Sequence, residues 1–274
     1  MTEPRPLTIG EIFDRAVTLV ARNWRVVLLL SLVTAVPDTL MRALNRGHLP
    51  RGPGGTLVEM LAEVIVYSLT GAALVMLFAD AAAPREAVAL LRRAAARYAR
   101  AFWTMFVLEI GTMVVILLFA FVIGAGLGIG SALAGLPGAI SGSLIGAIPA
   151  VIFAPTLMVA LIMAFPVAIL EDAGPVRAFA IATRRARGGG WVRAVLLTGA
   201  TMLVVILPFM AFEWTLGRLA AATGAWWLLT AEPALIAVLG TGYGSALTTV
   251  VAIDYRNRRE GADLAAALEA ARSA

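Results

Sequence analysis

Between Ala101 and Leu170 the chain runs for 70 residues with one ionisable side chain, Glu109. A segment this apolar has no polar face to turn toward water, so it cannot form the outside of a soluble domain. Hydrocarbon is the solvent it fits, and about 20 apolar helical residues cross that layer. Inside a bilayer every backbone N–H and C=O must be satisfied within the chain, which an α-helix does unaided. Further apolar blocks lie on either side. Over the whole chain 61% of residues are hydrophobic and 14% charged, against about 45–50% and about 25% in soluble domains. The sequence predicts an all-α integral membrane protein, with residues 1–274 as one polytopic membrane domain.

Spans are expected at 24–41, 57–79, 101–124, 146–170, 191–212 and 232–252, followed by a tail at 253–274. The arginines fix the count. Segments 1–25, 80–100, 171–193 and 253–274 hold 18 of the 22, and basic residues gather on the cytoplasmic side of a membrane. Only an even number of crossings between successive segments puts all of them on one side. The stretch 101–170 then crosses twice, the total is six, and both termini are cytoplasmic. The surplus at 125–145 is broken by Gly135-Leu136-Pro137-Gly138, the expected outside turn. Trp24, Trp103 and Trp191 open spans on the arginine-rich side, while Trp214, Trp226 and Trp227 lie at the other boundary. Indole rings favour the headgroup level.

A unit recurs three times: an arginine-bearing amphipathic helix, a tryptophan, then a pair of spans. The helices are expected at 8–23, 84–100 and 175–190, lying in the interface with arginines toward anionic headgroups. Thr8 and Glu11 have the spacing of a capping box. Ile9, Ile12, Phe13, Ala16, Val17 and Val20 follow on one face. Pro84 suits the first position of the second helix, with Val88, Leu91, Ala95 and Tyr98 on its apolar side. Thr8 and Gly174-Pro175 start the first and third.

Composition excludes several chemistries. There is no cysteine and one histidine, His48, so thiolate sites and paired imidazoles are ruled out and no metal or cofactor is expected. The charge of +5 suits loops facing anionic lipid. Arginines dispersed over four segments do not form a nucleic-acid footprint. All basic residues being arginine, in an Ala- and Gly-rich chain, points by codon usage to a GC-rich bacterium and its cytoplasmic membrane. Residues 1–23 carry Glu3, Glu11 and Asp14 and do not read as a signal peptide.

Glu109 is the one ionisable residue well inside a span. Intramembrane carboxylates are costly and face a bundle interior or water. It is either a proton or cation relay, or a structural group bonded to a neighbouring helix. Asp38, Glu59, Glu63, Glu213 and Glu232 fall near outer span ends and are expected in water or paired with Arg42, Arg46, Arg51 or Arg218, with a ring that binds a cation or lines a mouth as the alternative. Gly124 with Gly128, Gly126 with Gly130, Gly138-Gly142-Gly146, and Gly240 with Gly244 have small-xxx-small spacing. Such spacing lets helix backbones approach, here within the monomer, with a dimer seam as the alternative. Pro149, Pro155, Pro166 and Pro208 bend spans, as broken transporter helices do.

Three stretches carry a resemblance: Leu7-Thr8-Ile9-Gly10-Glu11-Ile12-Phe13-Asp14-Arg15-Ala16, Leu170-Glu171-Asp172-Ala173-Gly174-Pro175-Val176-Arg177-Ala178-Phe179, and Asp254-Tyr255-Arg256-Asn257-Arg258-Arg259-Glu260-Gly261-Ala262-Asp263-Leu264. Together they resemble the membrane domain of bacterial glycerophosphoryl diester phosphodiesterases and its free-standing relatives. The resemblance implies a membrane domain, not an activity. The phosphodiesterase domain of the fused members needs two histidines, so no catalytic residue carries over.

All three stretches fall on the cytoplasmic rim, where Asp14, Arg15, Asp172, Arg177, Asp254, Arg256 and Arg258 are expected to form a charge network. Arg92, Arg93, Arg97, Arg184 and Arg185 are expected to contact lipid headgroups or a partner. The functional expectation is a non-enzymatic scaffold or accessory subunit for an envelope- or lipid-related partner, itself a membrane or cytoplasmic protein or a second copy. The alternative is a small-molecule or ion transporter using Glu109. An enzyme acting on lipid through Glu213 and Glu232 ranks third, for want of a base or metal partner.

Overall fold

A computed structural model describes residues 6–44, 53–80, 83 and 85–273. Among these there is no strand. Five helical segments are long and apolar enough to cross a membrane: Trp24–Leu44, Met60–Ala79, Tyr98–Ile148, Ile152–Leu170 and Trp191–Thr223. His48, Arg46, Arg51 and Pro84 lie outside the described residues.

Helix α1 (Ile9–Arg22) begins at the expected capping box. The Glu11 N–H donates to Thr8 Oγ1 at 3.3 Å, and the Thr8 N–H donates to Glu11 Oε2 at 2.7 Å. Its far end is closed by Asn23, whose Nδ2 donates to the Leu19 carbonyl at 2.9 Å. Ile12 and Ala16 are fully buried. Val17, expected on the same face, is exposed. It lies about 100° round the helix from Ala16, on a side turned away from the bundle.

Helices α2 (Trp24–Leu44) and α3 (Pro53–Ala79) pack on each other, and Thr34 and Thr70 share a hydrogen bond of 2.8 Å between them. Helix α4 (Ala87–Ala95) buries Leu90 and Ala94, not Val88, which is exposed. Its Leu90–Ala94 side meets the protein and its Val88 side is turned outward.

Helix α5 (Tyr98–Leu170) is two arms joined at Ala134 and Gly135, the only residues in it with non-helical backbone angles. Gly135 has φ +63°, a conformation open to glycine and costly for L side chains. The chain reverses where the Gly-Leu-Pro-Gly sequence predicts. The arms then run antiparallel with backbones almost touching. A Cβ on Gly130 would sit 1.9 Å from the Gly138 carbonyl oxygen, and one on Gly126 would sit 2.3 Å from that of Gly142. Gly126 with Gly130 and Gly138-Gly142-Gly146 thus pack helix on helix within one chain, whereas Gly124, Gly128 and Gly244, expected in the same role, have nothing within 4 Å of an added Cβ.

Helix α6 (Pro175–Gly188) starts at Gly174-Pro175 and buries Ala178, Ala182 and Ala186, a small-residue stripe that packs largely on α5. Helix α7 (Trp191–Thr201) passes through a π-helical turn, Met202–Ile206, into α8 (Leu207–Thr223). Pro208 lacks the N–H that would bond Val204, and the widened turn absorbs that break. Helix α9 (Trp226–Ile236) likewise passes through a π turn, Ala237–Thr241, into α10 (Gly242–Ser273). The sixth expected span, 232–252, falls on this last run.

The Leu7 N–H donates to Asp254 Oδ1 at 2.7 Å. Residues from the two ends of the sequence therefore meet on one face of the bundle. Above them the core is a single cluster that includes Leu30, Leu74, Met163, Leu197 and Val251.

Candidate functional site: an acidic cavity and an arginine rim

A partly open cavity of about 440 Å³ lies in the half of the bundle away from the Leu7–Asp254 contact. Four helices bring carboxylates to its wall: Asp38 from α2, Glu63 from α3, Glu109 from α5 and Glu213 from α8. Arg42 is the one guanidinium among the described lining residues. It is engaged through Nε and Nη1. Its Nε donates to Asp38 Oδ1 at 2.9 Å, and Nη1 donates to Glu232 Oε2 at 2.7 Å. Nη1 also reaches the Leu229 carbonyl at 3.4 Å. That carbonyl is free because Pro233, four residues on, has no N–H to give it. Arg42 thus joins α2 to α9 through a carboxylate and a proline-freed backbone oxygen.

Glu109 and Glu213 differ from Asp38 and Glu232. Among the described residues neither has a hydrogen bond or an ion pair. Glu213 is exposed and Glu109 half-buried. The lining also carries Thr34, Tyr67 and Thr241. Below it polar groups continue inward: Tyr67 Oη lies 3.4 Å from Ser245 Oγ, and Thr249 donates to the Ser245 carbonyl at 2.7 Å. Beyond Thr249 come the buried side chains of Val250 and Val251. Among the described residues no group of three or more His, Asp or Glu converges as a metal site. The carboxylates ring a wall and do not form a chelate. A volume of this size suits a small organic molecule.

The opposite rim centres on Asp254, whose side chain is fully buried. Arg193 Nη2 donates to Asp254 Oδ2 at 2.7 Å and Arg258 Nε at 2.9 Å. The same two guanidiniums donate to the Leu7 carbonyl, at 3.0 and 2.5 Å. Arg193 also stands 5.7 Å from the centre of the Tyr255 ring. Burial pushes the Tyr255 phenol above its ordinary pKa, so it stays neutral. Asp172, in a left-handed conformation with φ 56° at the end of α5, pairs with Arg97 at 3.9 Å and with Arg100. Arg97 Nη1 also donates to the Ile169 carbonyl at 2.7 Å, and Arg185 pairs with Glu171.

Of the residues expected in the rim network, Asp254, Arg258 and Asp172 are knit into it. Arg256 pairs only with Glu260, at 3.8 Å. Asp14 and Arg177 are exposed and have no ion pair among the described residues; Asp14 is on the side of α1 away from its buried Ile12–Ala16 face. Arg15 lines a groove with Arg22 and Arg85 between α1 and the end of α3. Of those expected to meet headgroups, Arg92 and Arg184 are exposed and have no ion pair among the described residues, and Arg93 is exposed but reaches Asp80 at 3.4 Å. Arg97 and Arg185 are satisfied inside the protein. Arg193 was not singled out from the sequence, although it follows Trp191 at a span entrance.

No protein-family model, curated protein or solved structure matches the chain.

Proposed function

We propose that the chain is a non-enzymatic, six-span protein of the bacterial cytoplasmic membrane that carries a small cationic solute through the Glu109 cavity. The observation that carries this is Glu109 itself: an intramembrane carboxylate with no hydrogen bond or ion pair among the described residues, on the wall of a cavity large enough for a ligand. The scaffold reading expects a dry bundle with Glu109 bonded to a neighbouring helix. A bare carboxylate in a low-dielectric site is costly, and a bound cation offsets that cost. Arg42 holds the α2–α9 wall while Glu109 and Glu213 remain available. The hydrophobic plug at Val250 and Val251 makes this arrangement open to the outside and closed to the cytoplasm, as alternating access requires.

Proteoliposomes loaded with tetramethylammonium or with sodium should release it faster than protein-free vesicles. Glu109→Gln should cut that flux at least about tenfold, since one lost charge contact of this kind is worth about 1.5–3 kcal/mol. Unchanged flux would remove Glu109 from any path.

The same reading places both termini in the cytoplasm. The meeting of Leu7 with Asp254 supports it, as does the gathering of 18 arginines in the four segments that include these ends. With no native cysteine, single cysteines can be placed at Thr2 and Ser273. Neither should react with a membrane-impermeant maleimide in intact cells; labelling of one alone would break the six-span count.

A further inference from the structure

The hairpin of α8 and α9 has a π turn at each end, Met202–Ile206 before it and Ala237–Thr241 after it. A π turn makes i→i+5 bonds, holds an extra residue, and is where helices kink and functional sites often lie. Pro208 accounts for the first turn. No proline accounts for the second, because Pro233 frees the Leu229 carbonyl, which lies before it. The two turns stand side by side. A Cβ on Gly240, in the second, would lie 2.6 Å from Cζ of Phe209, just after the first. The Phe209 ring therefore fills the space a side chain would take. Beside this contact is an apolar cavity of about 300 Å³, with Val204, Phe209, Phe212 and Tyr243 in its wall.

Between the turns the hairpin has few ties. Only Ala220 of α8 is buried, and Leu207, Met210, Trp214 and Leu219 are exposed. Helix α8 packs on α9 and on the turn before it, and the hairpin meets the rest of the bundle chiefly where α9 lies on α2. The charge contact there is Arg42. Asp38 aims it from its own helix, and it reaches Glu232 and the Leu229 carbonyl on α9. The hairpin also carries Glu213, Pro233 and Ile236 of the acidic cavity wall, while α2, α3 and α5 supply the rest of that wall described above. Two adjacent hinges permit one rigid-body swing, and a swing of this hairpin changes the mouth of the acidic cavity. We propose that α8–α9 is a hinged outer wall that turns as a unit on the two π turns and is latched to α2 by the Arg42–Glu232 pair. The swing does not depend on which solute the cavity holds.

Paired spin labels on the full chain in lipid nanodiscs test this, since no native cysteine interferes. One pair joins Ile65 on α3 to Ala222 near the end of α8. A second joins Ile65 to Val192 on α7, before the first π turn. All three positions are exposed. Glu232→Gln should add a second, resolved Ile65–Ala222 distance, shifting the ratio of the two populations at least about tenfold, the loss of one charged hydrogen bond. The Ile65–Val192 distance should stay single. Arg42→Gln undoes the same contact from the other side and should reveal the same second distance; it keeps the test open if Glu232→Gln does not fold. Arg218→Gln removes a hairpin charge outside the latch, a guanidinium 5.0 Å from the centre of the Trp214 ring, and should leave the parent distribution. One unshifted Ile65–Ala222 distance in the latch variants would mean a rigid wall. Broadening without a second peak would mean fraying, and equal movement at Val192 would place the hinge elsewhere. Any of these, or an Arg218→Gln effect as large as that of Glu232→Gln, overturns the proposal, and none of them reads the flux through Glu109.

Discussion

Asp254→Ala should cost about 3–5 kcal/mol of stability, the usual loss when one member of a buried charge pair is removed. Asp254 has no exposed side-chain surface and accepts from Leu7 N–H, Arg193 and Arg258. The alanine would strand two guanidiniums at a site built around their counter-ion. It would also release the Leu7 N–H, freeing the start of α1 from α10. Asp254→Asn keeps an acceptor of similar shape and removes the charge, so its loss should be smaller. Thermal unfolding in detergent, followed by tryptophan fluorescence, measures both. The loss should be global rather than confined to α1, because Arg193 belongs to α7 and Arg258 to α10. An alanine variant within about 0.5 kcal/mol of the parent would show that the rim cluster contributes specificity without stability.

How much of this could be read beforehand depends on whether the signal is local. The capping box of α1 needs only Thr8 and Glu11, three residues apart, and the structure has both bonds. The reversal at Gly135 is likewise set by a tetrapeptide. Two of the three amphipathic helices, α1 and α6, begin and end within about two residues of where the sequence places them, while α4 is confined to Ala87–Ala95 of the expected 84–100, and Tyr98–Arg100 belong to α5. Local reasoning fails where a helix has two apolar surroundings. Val17 and Val88 read as members of the apolar faces of their helices, yet they are exposed, because hydrophobic periodicity does not separate protein from lipid. The arginine count finds the charged rim but not its wiring: Arg193 holds Asp254, while Asp14 holds nothing described.

The cavity was hidden for a different reason. Glu109 stood out because a charge inside a span is rare. Asp38, Glu63 and Glu213 read first as ordinary span ends and only second as a ring at a mouth, and four positions spread from 38 to 213 share a wall only once α2, α3, α5 and α8 are packed. The link between Arg42 and Leu229 illustrates the limit. Sequence shows that Pro233 frees a carbonyl. It does not show which cation, 187 residues away, will take it.

The glycines give the sharpest test of the packing, because two sets with the same spacing have opposite environments. Gly126, Gly130, Gly138 and Gly142 form the seam between the arms of α5. A Cβ at Gly138 or Gly142 would lie 2.1 Å from the opposing carbonyl oxygen. The contact is backbone on backbone, so no side chain can swing aside and the arms must separate. Gly126→Ala and Gly130→Ala should each cost about 1–3 kcal/mol, the range for overpacking in a close-packed interior. The pair together should open the hairpin, because the two sites lie one helical turn apart on the same seam. Gly124 and Gly128 have nothing within 4 Å of an added Cβ. There alanine should be neutral or add up to about 1 kcal/mol through helix propensity. Thermal midpoints of the four single variants in one detergent decide the matter. If Gly124→Ala and Gly128→Ala were instead the damaging pair, the arms would be packed through the other face, and the turn at Gly135 would have to be rotated to match.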